Sequence, residues 1–415
     1  MAYKKIFNEH FGSQSFLVIA MLGTMAWVES SASTIYVLTL VLGLFALYKN
    51  RGLLSAVGSI ALICLVCFAA IFINIVNADD VYKFFARLER LLRMFFLPLV
   101  ILAFLSLKSD PRRDFEVGIL ISSIVCLFGL LKGHLGSPMA GAYNSILLGD
   151  FTAYLTCAGC TAFFMRPKSD LFKAALGVAT MIFFLCSVEA GTRGAWLAIL
   201  VILTAFSLWT VARGIKRFHF NGAMAQNLLL IGFVLFTSIT SDRVLARLSL
   251  VQSDLTGFSS GSDVDTSIGL RFQMWSAAYV MWQENPWIGS GLGDYGLDLK
   301  SMMLKAPETI SVHFGEAHSI YFEFLATTGV IGLGALLFAV FLYPAVIFTK
   351  GYFQNALNPM NIQGLVLIST FGIFGLSQNW LARSSISSVY FFLLAFFLAN
   401  AIRECSGKAQ DRISS

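Results

Sequence analysis

Leu53-Leu-Ser-Ala-Val-Gly-Ser-Ile-Ala-Leu-Ile-Cys-Leu-Val-Cys-Phe-Ala-Ala-Ile-Phe-Ile-Asn-Ile-Val76 runs for 24 residues without an Asp, Glu, Lys or Arg. As a helix it would rise about 36 Å, more than the ~30 Å of a bilayer's hydrocarbon core. A barrel strand would alternate apolar and polar residues, and this run does not, so its backbone groups must be satisfied within a helix. Comparable windows recur along the chain at Gln14–Val28, Ser31–Tyr48, Met94–Leu107, Phe115–Leu135, Tyr143–Met165, Leu171–Val188, Ala195–Ala212, Ala225–Thr240, Ser319–Phe348, Ile362–Leu381 and Ser388–Ile402. The expected class is therefore all-α, a polytopic membrane protein of about 12 transmembrane helices. Lys4, Lys5 and Ser31-Ala32-Ser33 make the first window imitate a signal sequence, but the spans that follow make it a retained anchor.

Composition agrees. The 415 residues are 57% hydrophobic and 13% charged, with a mean hydropathy of +0.76, which no soluble core requires. Of the seven cysteines, Cys64, Cys67, Cys126 and Cys186 sit inside apolar runs, where they pack as small hydrophobes. The net charge of +6 belongs to loop lysines and arginines, and no basic tract is interleaved with aromatics, so nucleic acid is not an expected partner.

Those cations set the orientation. With a cytoplasmic N-terminus, Lys49, Arg51, Lys108, Arg112, Arg113, Arg166, Lys168, Lys173, Arg213, Lys216, Arg217, Lys350 and Arg403 all fall inside. The long segment 241–318 then faces outward, which in a Gram-negative cell is the periplasm. Three regions follow: helices 1–9 over 1–240, a loop domain over 241–318, and helices 10–12 with a cytoplasmic tail over 319–415. A second outward feature, near 79–95, has Phe84, Phe85, Leu88, Leu91, Leu92 and Phe95 at helical spacing, with Lys83, Arg87, Arg90 and Arg93 between them. It reads first as an interfacial helix lying flat with snorkelling cations, and second as a holder of lipid phosphates.

Candidate chemistry gathers on the same side. Arg193 lies in Gly191-Thr192-Arg193-Gly194-Ala195-Trp196, Arg271 in the helical stretch from Gly269, and His318 in Glu316-Ala317-His318-Ser319, with the glycine-dense Asn285–Gly296 between the last two. Singly, each has an ordinary explanation as a helix-end anchor or cap. Together they match the needs of transfer from a lipid-linked sugar diphosphate. Guanidinium forks stabilise the leaving diphosphate without metal or proton, and a neutral imidazole takes the proton of an attacking hydroxyl. Glu316 either orients His318 or caps the following helix.

His318-Ser319, nine residues, then Gly329-Val330-Ile331-Gly332 resembles the signature of the O-antigen ligase family. Thr192–Trp196 and the Arg271 helix followed by Pro286–Gly291 resemble its other landmarks, and the likeness covers about 190 to 335. It implies a GT-C-like, inverting glycosyltransferase needing no metal or other cofactor, which moves polysaccharide from undecaprenyl diphosphate to lipid A-core. It also implies His318 as base and Arg193 and Arg271 as holders of the donor diphosphate; Glu316, Arg87, Arg90 and Arg93 are further candidates for substrate or supporting contact on their position and charge alone. O-antigen polymerases and protein O-oligosaccharyltransferases share the superfamily and stay open as alternatives. A lipid or polysaccharide transporter is the alternative of another class, disfavoured by the lack of a repeat and by polar residues concentrated in one loop.

Other signals carry less. Asp263-Val264-Asp265 has a metal-holding form but lies in Ser/Gly-rich sequence. Gly291–Gly296 fits G-x-G-x-x-G without the preceding strand, and Cys157/Cys160 fall inside a span. Asp150 and Glu323, ionisable groups within spans, are functional candidates, Glu323 leaning towards a structural role.

Overall fold

The computed structural model describes residues 13–25, 29–107, 110–131, 145–166, 170–217, 266–305, 312–354 and 358–414. Among these residues there is no strand. The helices are α1 (Ser13–Met25), α2 (Glu29–Lys49), α3 (Leu54–Phe72), α4 (Val81–Phe95), α5 (Leu97–Ser106), α6 (Pro111–Leu131), α7 (Ser145–Met165) and α8 (Leu171–Ala190). They continue as α9 (Arg193–Arg217), α10 (Ser267–Glu284), α11 (Tyr295–Lys305), α12 (Ile320–Leu337), α13 (Tyr343–Gln354), α14 (Pro359–Ser377) and α15 (Ser384–Ser414). Among the described residues eight stretches are long and apolar enough to cross a membrane, and Gln14–Thr24 and Arg193–Trp209 are shorter apolar helices. This is a polytopic all-α membrane protein. The expected ninth span, Ala225–Thr240, and the loop with Asp263 and Asp265 lie outside the described residues.

Two helices form the interior. The apolar windows of α15 and α7 are 94% and 89% buried, against 28% for the Ile320–Lys350 stretch. Both are apolar around their whole circumference, so protein surrounds the first two while the third shows a broad face to lipid. Around α15 pack α2, α5 and α14, and around α7 pack α8, α9 and α14. Small residues set these distances. A Cβ on Gly43 of α2 would fall 1.9 Å from the Leu99 carbonyl oxygen of α5, so the two backbones touch.

The expected fourth span needs correcting. Met94–Leu107 is not one helix but the end of α4, a break at Phe96 and the ten-residue α5, alone only about 15 Å long. The crossing is shared. Arg93 Nε donates to Ser388 Oγ at 2.8 Å, while Arg403 donates to the Phe104 and Leu107 carbonyls. Ser388 and Arg403 lie on α15 about 22 Å apart at 1.5 Å per residue, so the last turn of α4 and all of α5 together cover that height.

α4 also departs from the flat, snorkelling reading. Asp80 caps its start by accepting from Lys83 N at 3.0 Å; of the expected apolar face Phe84, Leu88 and Leu91 are buried, joined by Met94, while Phe85 is exposed and Leu92 and Phe95 are half-buried. Its arginines are turned inward on protein. Arg90 Nη1 donates to the Ala382 carbonyl at 2.7 Å and Arg87 Nη2 to the Gly315 carbonyl at 3.3 Å.

Candidate active site

The site is built on a break in α12. Gly329 has φ 63° and ψ −169°, outside helical geometry and in a region essentially reserved for glycine. The main-chain groups freed there are taken by the Asn285–Gly296 stretch. Ser290 N donates to Ala326 O at 3.0 Å and Gly291 N to Thr327 O at 3.1 Å, while Val330 N donates to Pro286 O at 3.0 Å and Ile331 N to Trp287 O at 3.2 Å. A Cβ on Gly329 would lie 2.4 Å from the Trp287 carbonyl carbon, and one on Gly289 (φ 72°) 2.3 Å from that of Thr327. The glycines therefore serve close backbone approach.

Asn74, fully buried at the end of the third span, fastens this junction. Its Nδ2 donates to Ile288 O and Thr327 O, both at 2.6 Å, and its Oδ1 accepts from Leu292 N at 2.6 Å. Asn77 Nδ2 adds a bond to Gly289 O at 2.8 Å, and Asp294 Oδ2 accepts from Asp79 N at 2.7 Å.

His318 sits in the turn that leads into α12, with φ 50°, left-handed for a residue with a side chain. Three contacts hold that conformation. The buried Glu323 Oε2 accepts from Ala317 N at 2.6 Å, Trp275 Nε1 of α10 donates to Ala317 O at 3.2 Å, and Ser319 Oγ donates to Gly375 O at 3.1 Å. Glu323 thus acts on the turn that presents His318, not on the imidazole, in keeping with its structural reading.

Glu316 collects the charges. Its Oε1 accepts from Arg383 Nη2 and lies 3.7 Å from His318 Nδ1, and its Oε2 lies 3.7 Å from Arg87 Nη1. Burial holds His318 below the ordinary imidazole range; Glu316 pulls upward, while Arg271 and Arg383 push further down. With Nδ1 turned to Glu316, Nε2 is left for a ligand. Arg383 was not singled out in the sequence. Its signal was modest: a lone cation in the short connection Asn379–Arg383, on the side where few lie.

Arg193 and Arg271 line one cavity of about 530 Å³, with Asp150, Thr192, Trp275 and Gln378 among its walls. The Thr192–Trp196 pattern is explained by its seating. Gly191 ends α8 at φ 69°, Thr192 packs on Gly149 of α7, Gly194 packs on Ser377 of α14, Ala195 is fully buried, and Trp196 Nε1 donates to Ser187 O at 3.0 Å. Arg193 is thereby fixed at the first position of α9, level with Asp150. Arg271 projects from α10, whose N-cap Thr266 accepts from Gly269 N at 3.1 Å. Burial, then the charge of Arg193, draw the Arg271 guanidinium below its usual range, so the two cations share one field.

Thus Arg193 and Arg271 meet in one cavity, the charge of Arg271 reaches His318, and Glu316 joins His318 to Arg87 and Arg383. Arg90 lines a small recess with Arg87, Glu323 and Asn379. Arg93 stands apart, spent on Ser388 and the Arg90 carbonyl.

Comparison with known proteins gives two matches. A protein of Haemophilus influenzae (strain ATCC 51907 / DSM 11121 / KW20 / Rd) described as uncharacterized is 26% identical over 266 residues, covering 61% of this chain and 62% of its own length. The chain thus spans less than two thirds of that relative. The second match is a family model, Wzy_C, O-antigen ligase, over residues 177–337, which include Arg193, Arg271, the α12 break and His318. Its members are membrane glycosyltransferase-like ligases and polymerases, and over residues 177–337 this chain is similar to that O-antigen ligase/Wzy_C-like superfamily.

Proposed function

We propose that this protein transfers a glycan from a polyprenyl diphosphate, undecaprenyl diphosphate in bacteria, to the lipid A-core of lipopolysaccharide, on the periplasmic face of the inner membrane. The observation that carries this is the meeting of Arg193 and Arg271 in one cavity with His318 under the field of Arg271. Arg193 and Arg271 hold the diphosphate bidentately and stabilise the charge that grows as the anomeric C–O bond breaks. His318 Nε2 removes the acceptor hydroxyl proton as that oxygen attacks the anomeric carbon from the opposite face, so configuration inverts. The electron pair of the broken bond leaves with the diphosphate, and the proton passes from His318 to water. Glu316 keeps Nδ1 in place, and Arg383 and Arg87 keep Glu316 in place.

The experiment is transfer in membranes from cells making lipid-linked polysaccharide. His318→Ala at normal expression abolishes transfer, and full activity in that variant removes the base. EDTA leaves the rate unchanged; inhibition reversed by a divalent ion refutes cofactor-free transfer. Mass analysis of the product identifies the acceptor: glycan on lipid A-core supports the ligase, a lengthened polyprenyl-linked glycan the polymerase, and a glycosylated protein the oligosaccharyltransferase.

A further inference from the structure

Asp150 lies in α7 about 8 Å below its first residue, at 1.5 Å per residue, and is 2% exposed. It lines the same cavity as Arg193 and Arg271. Its Oδ2 has no hydrogen-bond partner among the described residues. The neighbouring Thr192 Oγ1 is unpartnered as well. An ionisable group left unsatisfied at this depth is costly unless a ligand completes it.

The two ends of the cavity ask for different atoms. Arginines offer only donors and suit phosphate oxygens, whereas the Asp150 carboxyl group offers acceptor oxygens and suits hydroxyl groups. A ligand with hydroxyls beside a diphosphate satisfies both. The 530 Å³ volume falls within the range of small-molecule sites. Trp275 walls the cavity and, through Nε1 on Ala317 O at 3.2 Å, joins it to the His318 turn. Its ring is held stacked on Phe322 at 5.0 Å between centroids.

We propose that Asp150 marks a subsite for the first sugar of the lipid-linked donor, its carboxyl group accepting from a ring hydroxyl while Arg193 and Arg271 hold the adjoining diphosphate. This rests on the donor reading above. It makes Asp150 the residue that distinguishes a glycosylated polyprenyl diphosphate from a bare one.

The test uses full-length protein in nanodiscs and two probes, a polyprenyl diphosphate carrying one hexose and the same lipid diphosphate without sugar. Wild type binds the sugar-bearing probe more tightly. Asp150→Ala weakens that probe roughly 5- to 10-fold, the worth of one hydrogen bond, and leaves the bare probe within about twofold. Asp150→Asn, which keeps the shape and one acceptor, falls between, while Arg271→Ala weakens both probes. Thermal unfolding of each variant separates lost binding from lost fold. Equal weakening of both probes in Asp150→Ala, or of neither, overturns the subsite, as does equal affinity of wild type for the two. Wild type that binds neither probe overturns the donor reading itself, and the subsite with it.

Discussion

Replacing Glu316 by Gln should move the acid limb of the pH–rate profile downward, and the structure fixes both sign and scale. Glu316 Oε1 lies 3.7 Å from His318 Nδ1, with the two side chains 11% and 32% exposed. Coulomb attraction at that distance is about 1 kcal/mol in water and about 4 kcal/mol at an effective dielectric constant of 20. Because Glu316 divides its charge among Arg383, Arg87 and His318, the lower end applies: about 1.4 kcal/mol, or about one pKa unit. Loss of the carboxylate removes what raises the His318 pKa and leaves burial, Arg271 and Arg383 to depress it. The imidazole then stays neutral, and able to accept a proton, to lower pH. The assay is kcat/KM for glycan transfer against pH in proteoliposomes, wild type beside Glu316→Gln. An acid limb that stays put or moves upward refutes His318 as the titrating base.

Arg383→Gln should shift the same limb upward, since a cation that depresses His318 is gone and Glu316 is freed to face it; the same pH series checks it. Gly329→Ala should destabilise the fold by about 3 kcal/mol or more, from a glycine-only conformation plus a 2.4 Å clash with Trp287, read by thermal unfolding in detergent. Asn74→Ala loses three buried hydrogen bonds at about 1 kcal/mol each, and should expose the 285–296 stretch to protease before the rest. A membrane-impermeant maleimide should label Cys405, the exposed cysteine, only after the cytoplasmic face is opened; labelling from outside in intact spheroplasts reverses the topology.

Much of this architecture was legible because lipid enforces a simple rule. Long apolar runs had to be helices, and the α4 pattern gave half of its buried face: Phe84, Leu88 and Leu91 are inside, while Phe85 is exposed. Arg193, Arg271 and His318 stood out as polar groups at span ends, and the first two share a cavity. What escaped depends on contacts between segments distant in sequence. Arg383 matters through Glu316, 67 residues away, and Asn74 through the 288–292 turn and Thr327, more than two hundred residues away. The α4 arginines looked free because nothing local says that the Gly315 and Ala382 carbonyls await them. Hydropathy also counted Met94–Leu107 as one span, because averaging over a window hides the break at Phe96.

The interrupted α12 bears on how firmly two distant segments are joined. Its broken turn and the Pro286–Gly291 strap exchange four main-chain bonds in both directions, so membrane helix and extramembrane segment unfold as one cooperative unit. With the Asn74 and Asn77 bonds to Ile288 O and Gly289 O and about 1 kcal/mol per bond, lifting the strap costs about 6 kcal/mol, leaving it raised in fewer than roughly one molecule in ten thousand. Amide exchange across 286–291 should therefore be among the slowest in the chain.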